Sequence, residues 1–254
     1  MIAKDDVLIQ QSLISHLIEL RDRLLRIVIC LLLVSLALMP FASEIYHFLA
    51  TPLLQSLPTG GQMIATDVTT PFFVPLKAVL LAGFILALPY ILYQVWGFIA
   101  PGLYSKERRM ISPLVFASVL LFLCGMAFAY FLVFPVVFGF ISDIAPDDVA
   151  VMTDIGKYLD FTMTLFIAFG LAFEVPVAVV MMVNAGVVSI SALREARVYV
   201  VVAAFVLGAI FTPPDIVSQF MLAIPLWLLY EAGIVVASLM QRNAIKMSSK
   251  NQSL

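Results

Sequence analysis

Three glutamates occupy positions where a carboxylate could do chemistry. Glu174 lies inside the apolar stretch Ala172-Phe173-Glu174-Val175-Pro176. A charge at the centre of a lipid-embedded helix costs at least about 2.5–3.5 kcal/mol. Glu174 must therefore face a bundle interior or a wet cavity, or carry a proton. Either a functional site or a structural hydrogen bond to another helix would account for it. Glu19 lies in the segment 12–26, where Ser12, His16, Glu19, Arg23 and Arg26 recur at spacings of four and three and share one helix face. Leu13, Leu17, Leu20 and Leu24 share another, which is the pattern of an interfacial amphipathic helix. Glu107 sits in the loop GFIAPGLYSKERR (residues 97–109), among Lys106, Arg108 and Arg109. Two carboxylates within reach of one ligand attract a dication, and the planar fork of arginine suits them. The ordinary alternative stays open. Glu19 would then pair with Arg23 at i+4 for about 0.3–0.5 kcal/mol, and Glu107 would be one counter-charge in a solvated basic loop.

The turn Thr212-Pro213-Pro214-Asp215 is a tight connection whose aspartate can cap the following helix. Thr212, Ser218 and Gln219 place polar groups near it, and in lipid such groups favour a partner helix that hydrogen-bonds to them. No catalytic set is present. The chain contains no HExxH, no GxSxG, no P-loop and no Cys/His metal spacing, so neither an enzyme nor a cofactor is expected.

The elements that must position these residues are membrane helices. Of 254 residues, 63% are apolar or aromatic and 12% are charged, against about 25% charged in soluble domains. This excludes a soluble globular domain and a disordered chain. The net charge of −2 leaves no basic footprint for nucleic acid. Cys30 and Cys124 both fall in apolar runs and suggest no disulfide framework.

Hydropathy predicts an all-α membrane protein with six spans, Leu24–Phe41, Pro71–Trp96, Ile111–Ile141, Tyr158–Val188, Val198–Phe211 and Ile216–Leu239. The fifth is too short to cross a bilayer core comfortably, since a core needs roughly 20 helical residues. Prolines 75, 89, 135, 176 and 225 fall within spans and suggest kinked helices around a concave shape. Twelve of the 14 basic residues lie before or at the very start of span one, between spans two and three, between four and five, or after six. The intervening loops carry Glu44, Asp67, Asp143, Asp147, Asp148 and Asp154. The positive-inside rule then puts both termini in the cytoplasm. The chain reads as one domain over 1–254: a cytoplasmic amphipathic segment (1–23), a six-span bundle (24–239) and a mobile polar tail (240–254).

The run His16-Leu17-Ile18-Glu19-Leu20-Arg21-Asp22-Arg23-Leu24 resembles the N-terminal signature of the TatC family, the multispan subunit of the twin-arginine protein translocase. Further matches are Met63–Asp67, Tyr93–Tyr104, Glu107-Arg108-Arg109, Phe173–Pro176 and Thr212–Asp215, so the resemblance runs from about residue 12 to 240. It implies a glove-like bundle with short helices five and six in the cytoplasmic (inner) membrane. It also implies recognition of twin-arginine signal peptides on folded cargo, and transport driven by the proton-motive force without nucleotide. Implied partners are single-span TatA- and TatB-type proteins, membrane lipid and further copies of the chain. By the same resemblance, Glu19 and Glu107 take the two arginines, with Arg21, Phe98 and Pro101 in the same signatures. Pro52 matches a position in the first outer loop, Glu174 the buried glutamate of the concave face. Thr212, Gln219 and Asp215 match the region where partner helices dock.

Two other readings compete. A proton-coupled small-solute transporter would use Glu174 as its proton carrier. An intramembrane enzyme or scaffold lacks, respectively, a nucleophile and a need for paired cytoplasmic glutamates.

Overall fold

The computed structural model of the protein describes residues 2–56, 63–103, 111–144, 153–211 and 216–252. All named elements among them are helical: α1 (Ile2–Leu38), α2 (Ala42–Ser56), α3 (Thr70–Leu103), α4 (Ile111–Phe128), α5 (Phe134–Ile144), α6 (Ile155–Phe173), α7 (Val175–Asn184), α8 (Ile190–Glu195), α9 (Arg197–Phe211) and α10 (Ile216–Gln252). Among the described residues, five stretches are long and apolar enough to cross a membrane: Ile14–Pro52, Thr70–Ile99, Ser112–Gly139, Ile155–Asn184 and Gln219–Arg242. The short fifth span of the sequence reading is α9, whose 15 residues reach only about 22 Å at 1.5 Å per residue. The last helix continues through Gln252.

The prolines act unequally. Pro75, Pro89 and Pro225 leave α3 and α10 continuous. Ahead of Pro135 the backbone widens into a π-helical turn at Ala129–Val133, and at Pro176 the helix breaks between α6 and α7. Each missing proline N–H frees an upstream carbonyl, and local widening or breakage absorbs the mismatch.

Packing follows the lipid's demands. On α1, Leu24, Leu25, Ile29, Leu32, Leu33 and Leu36 are all exposed. A contiguous apolar face of this size is untenable in water and natural against acyl chains. The main core joins α2 through α6 around fully buried Leu81, Leu88, Phe134, Leu159, Leu165 and Phe169. A smaller cluster joins α7, α8 and α10 through Val179, Val183, Leu193, Tyr230 and Ile234. Arg197 grips Glu231 with both ends of its fork, Nε to Oε1 at 2.6 Å and Nη2 to Oε2 at 2.7 Å, and so ties α9 to α10. An open groove of about 560 Å³, lined by residues such as Leu38, Ile45, Phe48, Leu81, Ile85 and Tyr130, indents the bundle near the α1–α2 corner.

Helices α4 and α6 meet through glycines. A Cβ on Gly125 would strike the carbonyl oxygen of Phe169, and one on Gly170 would strike the ring of Phe122. Overpacking of this kind costs about 1–3 kcal/mol. Gly125→Ala is expected to lower the melting temperature in detergent more than Gly170→Ala does, because a ring can turn aside and a backbone carbonyl cannot. Equal melting temperatures would contradict this ordering.

At the bundle end away from Glu19, Asp154 joins two loops. Its Oδ2 accepts from the Thr66 hydroxyl (2.6 Å) and the Thr66 N–H (3.0 Å), and its Oδ1 accepts from the N–H groups of Gly156 and Lys157, both at 2.9 Å. Ile64 and Asp154 form a short parallel bridge beside this knot. The Thr66 hydroxyl first, then the backbone donors, hold the Asp154 carboxyl down to about 2. A depressed carboxylate stabilises the fold fully above its unfolded value, near 3.8, and loses that contribution as pH falls through about 2. Wild type is therefore expected to lose melting temperature between these two pH values by more than Asp154→Asn does. Parallel losses in the two proteins would show that this carboxylate is not responsible.

Candidate functional site

Glu19 lies on α1 with Arg23 one turn further along, and both face the end of α3. The Arg23 Nε and Nη2 donate to Glu19 Oε1 at 2.9 and 2.7 Å. Its Nη1 donates to the Gln94 side-chain oxygen at 3.1 Å and to the Gln94 carbonyl at 3.4 Å, and Nη2 donates to the Gly97 carbonyl at 2.9 Å. Gln94 is buried. One turn earlier on α1, His16 stacks on Phe98 with ring centroids 4.2 Å apart. Arg23 and His16 of the polar stripe thus contact α3, while Leu17, Leu20 and Leu24 are exposed. This inverts a soluble helix and suits a membrane surface.

The ordinary pairing of Glu19 with Arg23 is present, yet it leaves the carboxylate half open. Among the described residues, Oε2 has only His16 Nδ1 near it, at 4.0 Å, and the side chain is 41% exposed. Glu19 lines an open cleft of about 370 Å³ with Ser15, Ile18, Asp22, Arg23 and Arg26. Asp22 is held by Arg21, whose Nε and Nη2 donate to Oδ1 at 3.0 and 2.8 Å. A cation entering this cleft meets two carboxylates, each with one oxygen engaged by an arginine of the chain itself.

A second polar cluster lies in the membrane interior. Glu174 occupies the break between α6 and α7, and among the described residues neither of its buried carboxyl oxygens has a hydrogen-bond partner. The Ser118 hydroxyl lies beside it, outside hydrogen-bonding geometry, and accepts instead from the Trp96 indole N–H at 2.8 Å. A helix break at the glutamate is what lets the carboxyl turn into the bundle, as expected for an ionisable group at this depth.

The remaining residues singled out from the sequence scatter. Arg21 is exposed and pairs with Asp22, which lines the same cleft as Glu19. Pro52 is buried in α2. It lies beyond the end of α1 at Leu38, which is about 28 Å along the helix from Glu19. The Gln219 side-chain amide donates to the Phe205 carbonyl at 2.9 Å and ties α10 to α9. Pro101 lies in the last turn of α3. Glu107, Thr212 and Asp215 lie outside the described residues. Helical spacing shows the bond of Arg23 to Glu19 but not its contacts with Gln94 and Gly97. Two signals were available. Pro101 cannot donate to the carbonyl four residues back, which is that of Gly97, and a glycine there permits close approach.

A model of the family described as "TatC: Sec-independent protein translocase protein (TatC)" matches residues 15–225. The chain belongs to the TatC family. This TatC-family chain is 51% identical over 241 residues to the Sec-independent protein translocase protein TatC of Haemophilus influenzae, covering 95% of this chain and 94% of that one. It is 54% identical over 224 residues to the TatC protein of Escherichia coli strain K12, covering 88% and 87%. Its fold matches the crystal structure of a twin arginine translocase receptor, TatC, with a TM-score of 0.77 and 40% identity over 88% of this chain and 98% of that one. The matched stretch contains Glu19, Arg23, Gln94, Gly97, Phe98, Glu174 and Gln219. No group of three or more His, Cys, Asp or Glu among the described residues could hold a metal ion.

Proposed function

We propose that this chain is the receptor subunit of a twin-arginine translocase. It binds twin-arginine signal peptides of folded proteins and, with TatA- and TatB-type single-span partners, passes the cargo across the cytoplasmic membrane at the expense of the proton-motive force. The observation that carries the proposal is the half-open Glu19 carboxylate in its cleft. One signal-peptide guanidinium donates to Glu19 Oε2, and the other is taken by Glu107 in the adjoining loop. The docked His16–Phe98 stack and the Arg23 bonds fix the cleft before ligand arrives, which lowers the ordering entropy lost on binding. Membrane lipid surrounds the exposed apolar face of α1.

The topology proposed with this function has six spans, α9 being the short fifth, with both termini in the cytoplasm. The twelve basic residues on one side support it. The groove beside α1 and α2 supports a concave, glove-like face. Thr212, Asp215 and Gln219 border a partner helix, for which Gln219 keeps its carbonyl oxygen. Pro52 shapes the outer corner, and several copies assemble in the working complex.

The test is binding of labelled twin-arginine and twin-lysine signal peptides to the purified protein in nanodiscs. The twin-lysine peptide is expected to bind at least several-fold more weakly, because an ammonium cannot reproduce planar guanidinium contacts. Equal affinities would count against carboxylate recognition of arginine. The unpartnered Glu174 carboxyl favours one other reading, a proton-coupled small-solute transporter. Solute uptake by vesicles holding this chain alone would establish that reading; the receptor reading expects none without partners.

A further inference from the structure

Arg23 is a cation inside a site that is read here as a receptor for cations. All five of its N–H donors are taken: Nε by Glu19, the two on Nη1 by the side chain and carbonyl of Gln94, the two on Nη2 by Glu19 and the Gly97 carbonyl. Such saturation of a guanidinium fork fixes position as well as charge. The sequence around it is fitted to this arrangement. Pro101 has no N–H to give the Gly97 carbonyl, so Arg23 supplies the missing donor. Gly97 has no Cβ, and one added there would lie 2.7 Å from Arg23 Nη1. On the other side of the guanidinium, Glu19 Oε1 accepts two donors and Oε2 none among the described residues.

We propose that Arg23 is the residue that gives the site its preference for arginine over lysine. This rests on the reading of the cleft as a signal-peptide site. By filling both lone-pair directions of Oε1, Arg23 removes the general attraction of a free carboxylate for any cation. It leaves a single oxygen at a fixed place and angle. An incoming guanidinium meets that oxygen with a directed N–H. A strongly hydrated ammonium gains less from a carboxylate already half neutralised. Without the bracket, Glu19 turns freely and carries an unbalanced charge, and any cation satisfies it.

The experiment measures affinities of twin-arginine and twin-lysine peptides for wild type, Arg23→Gln, Gly97→Ala and Glu19→Gln in nanodiscs. Gly97→Ala keeps every charge but pushes the end of the Arg23 side chain off α3, and alanine favours the helix, so it serves where Arg23→Gln fails to fold. The ratio of the two affinities is expected to fall several-fold toward equality in both Arg23→Gln and Gly97→Ala, with twin-lysine binding held or strengthened. A ratio equal to that of wild type, even if both affinities drop together, would assign Arg23 to folding and overturn the proposal. So would a fall confined to Arg23→Gln, which would make the effect one of charge rather than position. Failure of the underlying reading shows separately, as equal binding of both peptides by wild type or undiminished twin-arginine binding by Glu19→Gln; either overturns the proposal with it.

Discussion

Glu19→Ala and Glu107→Ala each weaken binding of a twin-arginine signal peptide by about 10- to 150-fold, the equivalent of losing one charge-assisted hydrogen bond of about 1.5–3 kcal/mol. Loss of Glu19 has a second effect, because Arg23 then keeps only its partners on α3. Glu19→Gln separates the two. Its amide oxygen still accepts from Arg23, so the bracket persists while the charge facing the cleft is gone. Binding by Glu19→Gln is expected to fall nearly as far as binding by Glu19→Ala, with a melting temperature closer to wild type. Fluorescence anisotropy of a labelled peptide gives the affinities. Wild-type affinity in all three variants would return both glutamates to ordinary surface charges.

The second large effect is at Glu174, where stability and function are expected to move in opposite directions. Both carboxyl oxygens are buried without partners. An unsatisfied buried polar group costs about 1–3 kcal/mol, and replacing it with an apolar side chain removes that penalty. Glu174→Leu should therefore melt higher in detergent than wild type and yet fail to support export. Glu174→Gln keeps hydrogen-bonding capacity without charge and should export better than Glu174→Leu. Equal loss of export in the two variants would make ionisation, rather than hydrogen bonding, the property that matters. Full export by Glu174→Leu would reduce the glutamate to a structural residue. Raising stability at the expense of activity is the usual signature of a polar group retained for function.

Much of the architecture was legible because lipid enforces simple rules. Apolar runs became the five long helices, and the run too short to cross comfortably became α9. Proline positions were legible but their consequences were not. Pro89 and Pro176 look alike in sequence, yet α3 is continuous and α6 stops. The break falls at Glu174, directly before the α7 start that holds Pro176. At the site, the face shared by His16, Glu19 and Arg23 was readable from spacing alone. That this face packs on α3 was not, because a polar stripe beside a leucine stripe fits either orientation at a membrane surface. The contacts of Arg23 with Gln94 and Gly97 bridge more than 70 residues of chain, and no local pattern encodes such a distance. Only the Gly97/Pro101 pair carried a trace of it, as a carbonyl without a helical donor beside a residue without a side chain. Gln219 likewise makes a contact that its position did not show: its amide donates to the Phe205 carbonyl and ties α10 to α9.

A double-mutant cycle measures the direct contact proposed between Glu19 and one arginine of the signal peptide. Affinities are taken for wild type and Glu19→Gln, each against a twin-arginine peptide and a peptide with one of the two arginines replaced by glutamine, for both arginines in turn. If Glu19 Oε2 receives a guanidinium, one of the two replacements has little further effect in the Glu19→Gln background, with a coupling energy of about 0.5–3 kcal/mol, while the other replacement remains additive. Additivity at both arginines would mean that neither touches Glu19 and would contradict the account.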